Sequence, residues 1–202
     1  MTETALPRRR RLRHALALPN LLTYGRLAAV PVVAVLLQSP AEHWMRWTAL
    51  AVFTVAGVTD FLDGYLARIW KQQSPLGQML DPIADKLLVA TTLLVLASNQ
   101  TLDDWTLWAA IIILCREILV SGLREYLAEK ATLPVSALAK WKTTVQMIAL
   151  GFVIAGPAGE AVLPGAMRIG ATLLWLAAAL TLYTAVDYLI SGWPHFGEDE
   201  EA

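Results

Sequence analysis

The sequence predicts an all-α integral membrane protein, six transmembrane helices with both termini in the cytoplasm, and three observations carry that prediction. Apolar residues make up 56% of the 202 positions and charged residues 16%, against the roughly 25% charged residues usual in soluble domains. The apolar residues gather into six runs, each near the roughly 20 residues that a helix needs to cross a bilayer. Lys and Arg crowd alternate connections, and positive charge is retained on the cytoplasmic side of a membrane.

Taken in order, residues 1–19 read as a basic cytoplasmic head in which Arg8, Arg9, Arg10, Arg11 and Arg13 precede the first span. Arginines at a membrane border anchor to headgroups, so no nucleic-acid partner is expected. The first span, 20–38, opens on "LPNLLTYGR". Its internal polar groups, and the lack of a small-residue cleavage site, read as a retained helix and not a removable signal. The second and third spans are 45–69 and 77–98, joined by a connection bearing Arg68 and Lys71. The fourth and fifth, 105–127 and 136–155, are joined by one bearing Arg124, Lys130, Lys140 and Lys142. The remaining connections hold only Arg46, no basic residue beside "TLDDW", and Arg168. That alternation places both termini, the basic head and the acidic tail of residues 192–202, in the cytoplasm. The sixth span is 167–190, and with no linker or repeat in sight residues 20–191 read as one domain. A single cysteine, Cys115, excludes a disulfide framework.

The stretch "DFLDGYLARIWKQQSPLGQMLDPIADK", Asp60 to Lys86, does not fit a chain built for lipid. At 100° per residue, Asp60, Asp63, Gly64, Ala67 and Arg68 share an arc of about 140° at the end of the second span. Gly77, Asp81 and Asp85 stack at i, i+4 and i+8 at the start of the third. Four carboxylates so close would repel one another unless cations neutralise them. Hard oxygen ligands suit Mg2+ or Mn2+, and two such ions about 3.5–4 Å apart can hold a phosphate. Gly64, Ala67 and Gly77 leave room for a bulky ligand, and the forked guanidinium of Arg68 suits a phosphate oxygen. The structural alternative is that the small residues pack helices and each Asp pairs with a neighbouring cation.

Those eight residues match without departure the pattern DxxDGxxAR…GxxxDxxxD, and the chain thereby resembles the CDP-alcohol phosphatidyltransferase family. "LPNLLTYGR" resembles the family's opening, and "REILVSGLRE" with "ALAKWKTTVQM" resembles the branch whose acceptor is sn-glycerol 3-phosphate. The resemblance implies a six-helix, usually homodimeric membrane enzyme that transfers a phosphatidyl group from CDP-diacylglycerol to an alcohol and releases CMP. It implies that Asp60, Asp63, Asp81 and Asp85 ligate two Mg2+ or Mn2+ ions, Asp85 also serving as base on the attacking hydroxyl. Gly64, Ala67, Arg68, Ser74 and Gly77 would hold CDP-diacylglycerol, with Asn20, Thr23 and Arg26 completing the pocket. A bacterial inner membrane, with the site facing the cytoplasm, is the expected location.

The acceptor is read from the fourth and fifth spans. Arg116 lies two turns from Arg124, and Lys140 and Lys142 open the next helix at the same expected level. Such cations suit an acceptor that brings its own phosphate. Lys140 shares a face with Thr144 while Lys142 points roughly away, which favours Lys140. Pairing with Glu117 and Glu125, or snorkelling to headgroups, is the structural alternative. Inositol phosphate, serine and a phosphatidyl lipid stand as rival acceptors, and a divalent-cation transporter as the rival class. A transporter would string its aspartates across the bilayer, whereas these four gather near one face.

Overall fold

The computed structural model of the protein describes residues 18–39, 42–70, 75–127 and 137–192. Among them the secondary structure is entirely helical, in six helices: α1 Leu18–Leu37, α2 His43–Trp70, α3 Pro75–Ser98, α4 Asp104–Leu127, α5 Ala137–Val162 and α6 Ala166–Gly192. Each coincides with one of the six apolar runs. Four contain a stretch long and apolar enough to cross a membrane, Asn20–Leu37, Asp104–Leu123, Trp141–Val162 and Ala166–Ile190. The other two, α2 and α3, carry the four aspartates. This is an integral membrane protein, and exposed Val35, Ile118, Tyr183 and Ile190 supply the apolar exterior that lipid requires.

Local signals set the helix ends. Pro75 opens α3, where a missing N–H costs nothing. Gln100 ends the same helix at φ 57°, and the amides of Thr101 and Leu102 return to the Leu96 carbonyl at 3.0 and 3.1 Å. Asp103 caps α4 by accepting the Thr106 amide at 2.7 Å. Those bonds, first from the Thr106 hydroxyl and then from its amide, hold the Asp103 carboxyl below the usual carboxylate range. The fifth helix is interrupted at the expected end at 155, where Gly156, at φ 47° and ψ −129°, breaks the regular backbone ahead of Pro157, and a further helical segment runs on to Val162. Glu160 then accepts the Gly165 and Met167 amides at 2.7 and 2.9 Å, which satisfies the first turn of α6.

The chain forms two compact units, Met1–Val95 and Leu96–Ala202. In the first, α1 packs on α2, and Val33, Leu37, Ala49, Phe53 and Ala56 are buried along the pair. In the second, α6 packs against both α4 and α5. Its core is Ala109, Ile113, Leu150, Ile154, Leu174, Ala177 and Ala178, and the rings of Trp105 and Trp175 stack with centroids 4.8 Å apart. Small residues let α5 and α6 approach closely. A Cβ added to Gly170 would lie 3.0 Å from Phe152 Cβ and 3.3 Å from the Val153 amide nitrogen. Close backbone approach of this kind replaces the hydrophobic driving force that helices lose in lipid.

Candidate active site

In the first unit, Asn20, Thr23 and Arg26 lie on one buried face of α1. Arg26 has a fully buried side chain, and its Nη1 donates to Asp81 Oδ1 at 2.8 Å. A buried guanidinium within a membrane helix needs such a counter-charge. The bond ties the start of α1 to α3 across 55 residues of sequence. Asp81 keeps 41% of its side chain accessible. Asp85 follows one turn later and is half-buried. Pro82 sits between them, and its missing N–H frees the carbonyl of Gln78 in that turn. Gly77 lies one turn before Asp81 on the same face.

Asp60, Asp63, Gly64, Ala67 and Arg68 belong to the last turns of α2, as expected. Their side chains, and the whole of Ser74, lie outside the described residues. Among the described residues no three His, Cys, Asp or Glu groups converge to hold a metal. Asp81 and Asp85 alone of the four carboxylates are described there. They lie one turn apart on α3, and Arg26 Nη1 donates to Oδ1 of Asp81. This donor chemistry fits a hard divalent cation.

In the second unit a buried polar network joins three helices. Arg116 on α4 donates through Nε to the Thr181 carbonyl at 3.0 Å, through Nη2 to Thr184 Oγ1 at 2.7 Å and through Nη1 to Glu117 Oε1 at 3.3 Å. Buried Lys142 on α5 donates to the same Glu117 oxygen. The network therefore brings together Arg116 and Lys142, two of the four cations expected at the acceptor site. The other two, Arg124 on α4 and Lys140 on α5, have side chains outside the described set. Pairing with Glu117 was legible in the sequence, but the part played by α6 was not. Its one visible trace is Thr181 and Thr184, three residues apart on one face of an apolar helix.

Two consecutive helices of this membrane protein thus carry the four aspartates, and α4 and α5 bury Arg116 and Lys142 against Glu117. The model of the CDP-alcohol phosphatidyltransferase family matches residues 16–183, and this chain belongs to that family. It is similar to the CDP-diacylglycerol--glycerol-3-phosphate 3-phosphatidyltransferase of Cereibacter sphaeroides, at 39% identity over 91% of this chain and 99% of the relative. Relatives bearing the same name in Rickettsia bellii and Pseudomonas fluorescens are 42% and 39% identical. Those matches cover 85% and 90% of this chain, and 92% and 93% of the relatives.

Proposed function

We propose that this protein is a phosphatidylglycerophosphate synthase, transferring a phosphatidyl group from CDP-diacylglycerol to sn-glycerol 3-phosphate and releasing CMP. The observation that carries the reading is the unbroken spacing of Asp60, Asp63, Gly64, Ala67, Arg68, Gly77, Asp81 and Asp85 over the end of α2 and the start of α3. The names of full-length relatives support the acceptor.

In this reading Asp60, Asp63, Asp81 and Asp85 hold two Mg2+ or Mn2+ ions. When bound, such ions offset the charge that builds on departing CMP. Gly64, Ala67, Arg68, Ser74 and Gly77, with Asn20, Thr23 and Arg26, hold CDP-diacylglycerol. Asp85 takes the proton of the attacking hydroxyl, its basicity raised by neighbouring carboxylates. Arg116, Arg124, Lys140 and Lys142 hold the phosphate of the acceptor. All six helices cross a bacterial inner membrane within one domain, 20–191, with both termini and the site on the cytoplasmic side. Acyl chains then stay in lipid while the nucleotide and the alcohol enter from water. The working form is a homodimer.

The test is CMP release by purified protein from CDP-diacylglycerol with a panel of alcohols. Glycerol 3-phosphate should support turnover and plain glycerol should be poor. Equal rates with the two, or a preference for inositol phosphate or serine, overturn the acceptor; no release with any alcohol overturns the transferase.

A further inference from the structure

We infer that Glu117 and Thr184 are positioning residues that fix the grip of Arg116 and Lys142 on the acceptor's phosphate, an inference that rests on the acceptor reading above. A guanidinium has five N–H groups. Arg116 spends three of them, on the Thr181 carbonyl, Thr184 Oγ1 and Glu117 Oε1. Five less three leaves two, as many as a bidentate phosphate contact uses. The three bonds fix the plane of the fork. Thr184 is itself fixed, because its hydroxyl donates to the Thr181 carbonyl at 3.0 Å and so turns a lone pair toward Arg116. The α6 backbone thus seats the guanidinium twice, once directly and once through a hydroxyl.

Glu117 does the corresponding work between α4 and α5. One of its oxygens accepts from both Arg116 and Lys142, drawing two buried cations to one point. A lone carboxylate would repel a phosphate, but this one is neutralised twice over, so its removal frees two like charges to part. Loss of geometry decides the sign, and acceptor binding weakens. Within one turn further along α4 and α6 from Arg116 and Thr184, Val120, Ala185 and Tyr188 form a buried cluster with Leu123 packed against it.

The experiment uses the full-length protein in detergent, with two readouts: KM for each substrate, and the thermal shift caused by glycerol 3-phosphate without donor. Thr184→Val deletes the hydroxyl at nearly constant shape, and Glu117→Gln deletes the charge. Each should raise KM for glycerol 3-phosphate about tenfold or more and abolish its thermal shift, with KM for CDP-diacylglycerol unchanged. Thr184→Ser and Glu117→Asp should restore most of the affinity. An unchanged KM for glycerol 3-phosphate in Thr184→Val, or equal changes in both KM values, overturns the inference, and this variant decides even where Glu117→Gln does not fold. If the wild-type protein rejects glycerol 3-phosphate, the acceptor reading has failed by itself. Inorganic phosphate then serves as the thermal-shift probe, and a shift equal in wild type and Thr184→Val overturns the positioning role.

Discussion

Asp81 has two claims on it: Arg26 holds one oxygen, and 41% of its side chain stays accessible. A carboxylate held in place yet open suits a ligand that must keep its orientation while ions and substrate exchange. On the proposed mechanism Asp60→Asn, Asp63→Asn, Asp81→Asn and Asp85→Asn should each cut turnover about a hundredfold or more. Asp85→Asn should retain bound Mn2+ best, because proton removal is its added task. Excess EDTA should abolish activity and Mg2+ or Mn2+ restore it; two near-normal variants, or activity in EDTA, sink the metal mechanism. Asp103 makes a different prediction. Its carboxyl is held low by Thr106 in the folded state, so its stabilising effect is complete above the unfolded value of about 3.9. It is lost as pH falls through the lower folded value. Asp103→Asn, a neutral cap of similar quality, should match wild-type melting near neutrality and lose less stability below about pH 4. Parallel acid limbs for the two proteins would show that the cap does not contribute in this way.

At the scale of elements, the packing of α5 on α6 turns on Gly170. An added methyl there meets Phe152 Cβ at 3.0 Å and the Val153 backbone at 3.3 Å, and backbone cannot swing aside. Gly170→Ala should cost about 1–3 kcal/mol, as overpacking typically does, and Gly170→Leu more. Among the described residues nothing lies within 4 Å of a Cβ added to Gly122 on α4, so Gly122→Ala should be neutral or slightly stabilising. Equal melting shifts for Gly122→Ala and Gly170→Ala would contradict the close approach. The same helices mark how far the sequence could be read. Apolar runs of membrane length located all six helices, because that signal is local. They stopped α5 at 155, where Gly156 and Pro157 do break the regular backbone, though the helix resumes to Val162. The seat of Arg116 was beyond reach for another reason. Its partners on α6 lie 65 and 68 residues away, and only the packing of α4 against α6 brings them together. The aspartate spacing was legible because it lies within two consecutive helices and a short connection.

For the whole molecule, orientation follows from where the basic residues lie between helices. Among the described residues four helices are long and apolar enough to cross a bilayer. The proposed arrangement adds α2 and α3, whose charged ends would then lie near the cytoplasmic headgroups and not at the bilayer centre, where charge is most costly. Arg68 and Lys71 flank the α2–α3 connection, and Arg124, Lys130 and Lys140 the α4–α5 connection. If all six cross, both connections share the cytoplasmic face. The exposed Cys115 of α4 has to be removed before this is tested. In a Cys115→Ala background, Gln73→Cys should react with an impermeant thiol reagent only after cells are opened. Glu42→Cys, at an exposed position just before α2, should react in intact cells. The reverse order of labelling would invert the topology and set the aspartates on the face away from CDP-linked substrates. Labelling of both positions in intact cells would mean that α2 does not cross. In that case the carboxylates of α2 and α3 could not share the cytoplasmic face, and the two-helix site would fail with the topology.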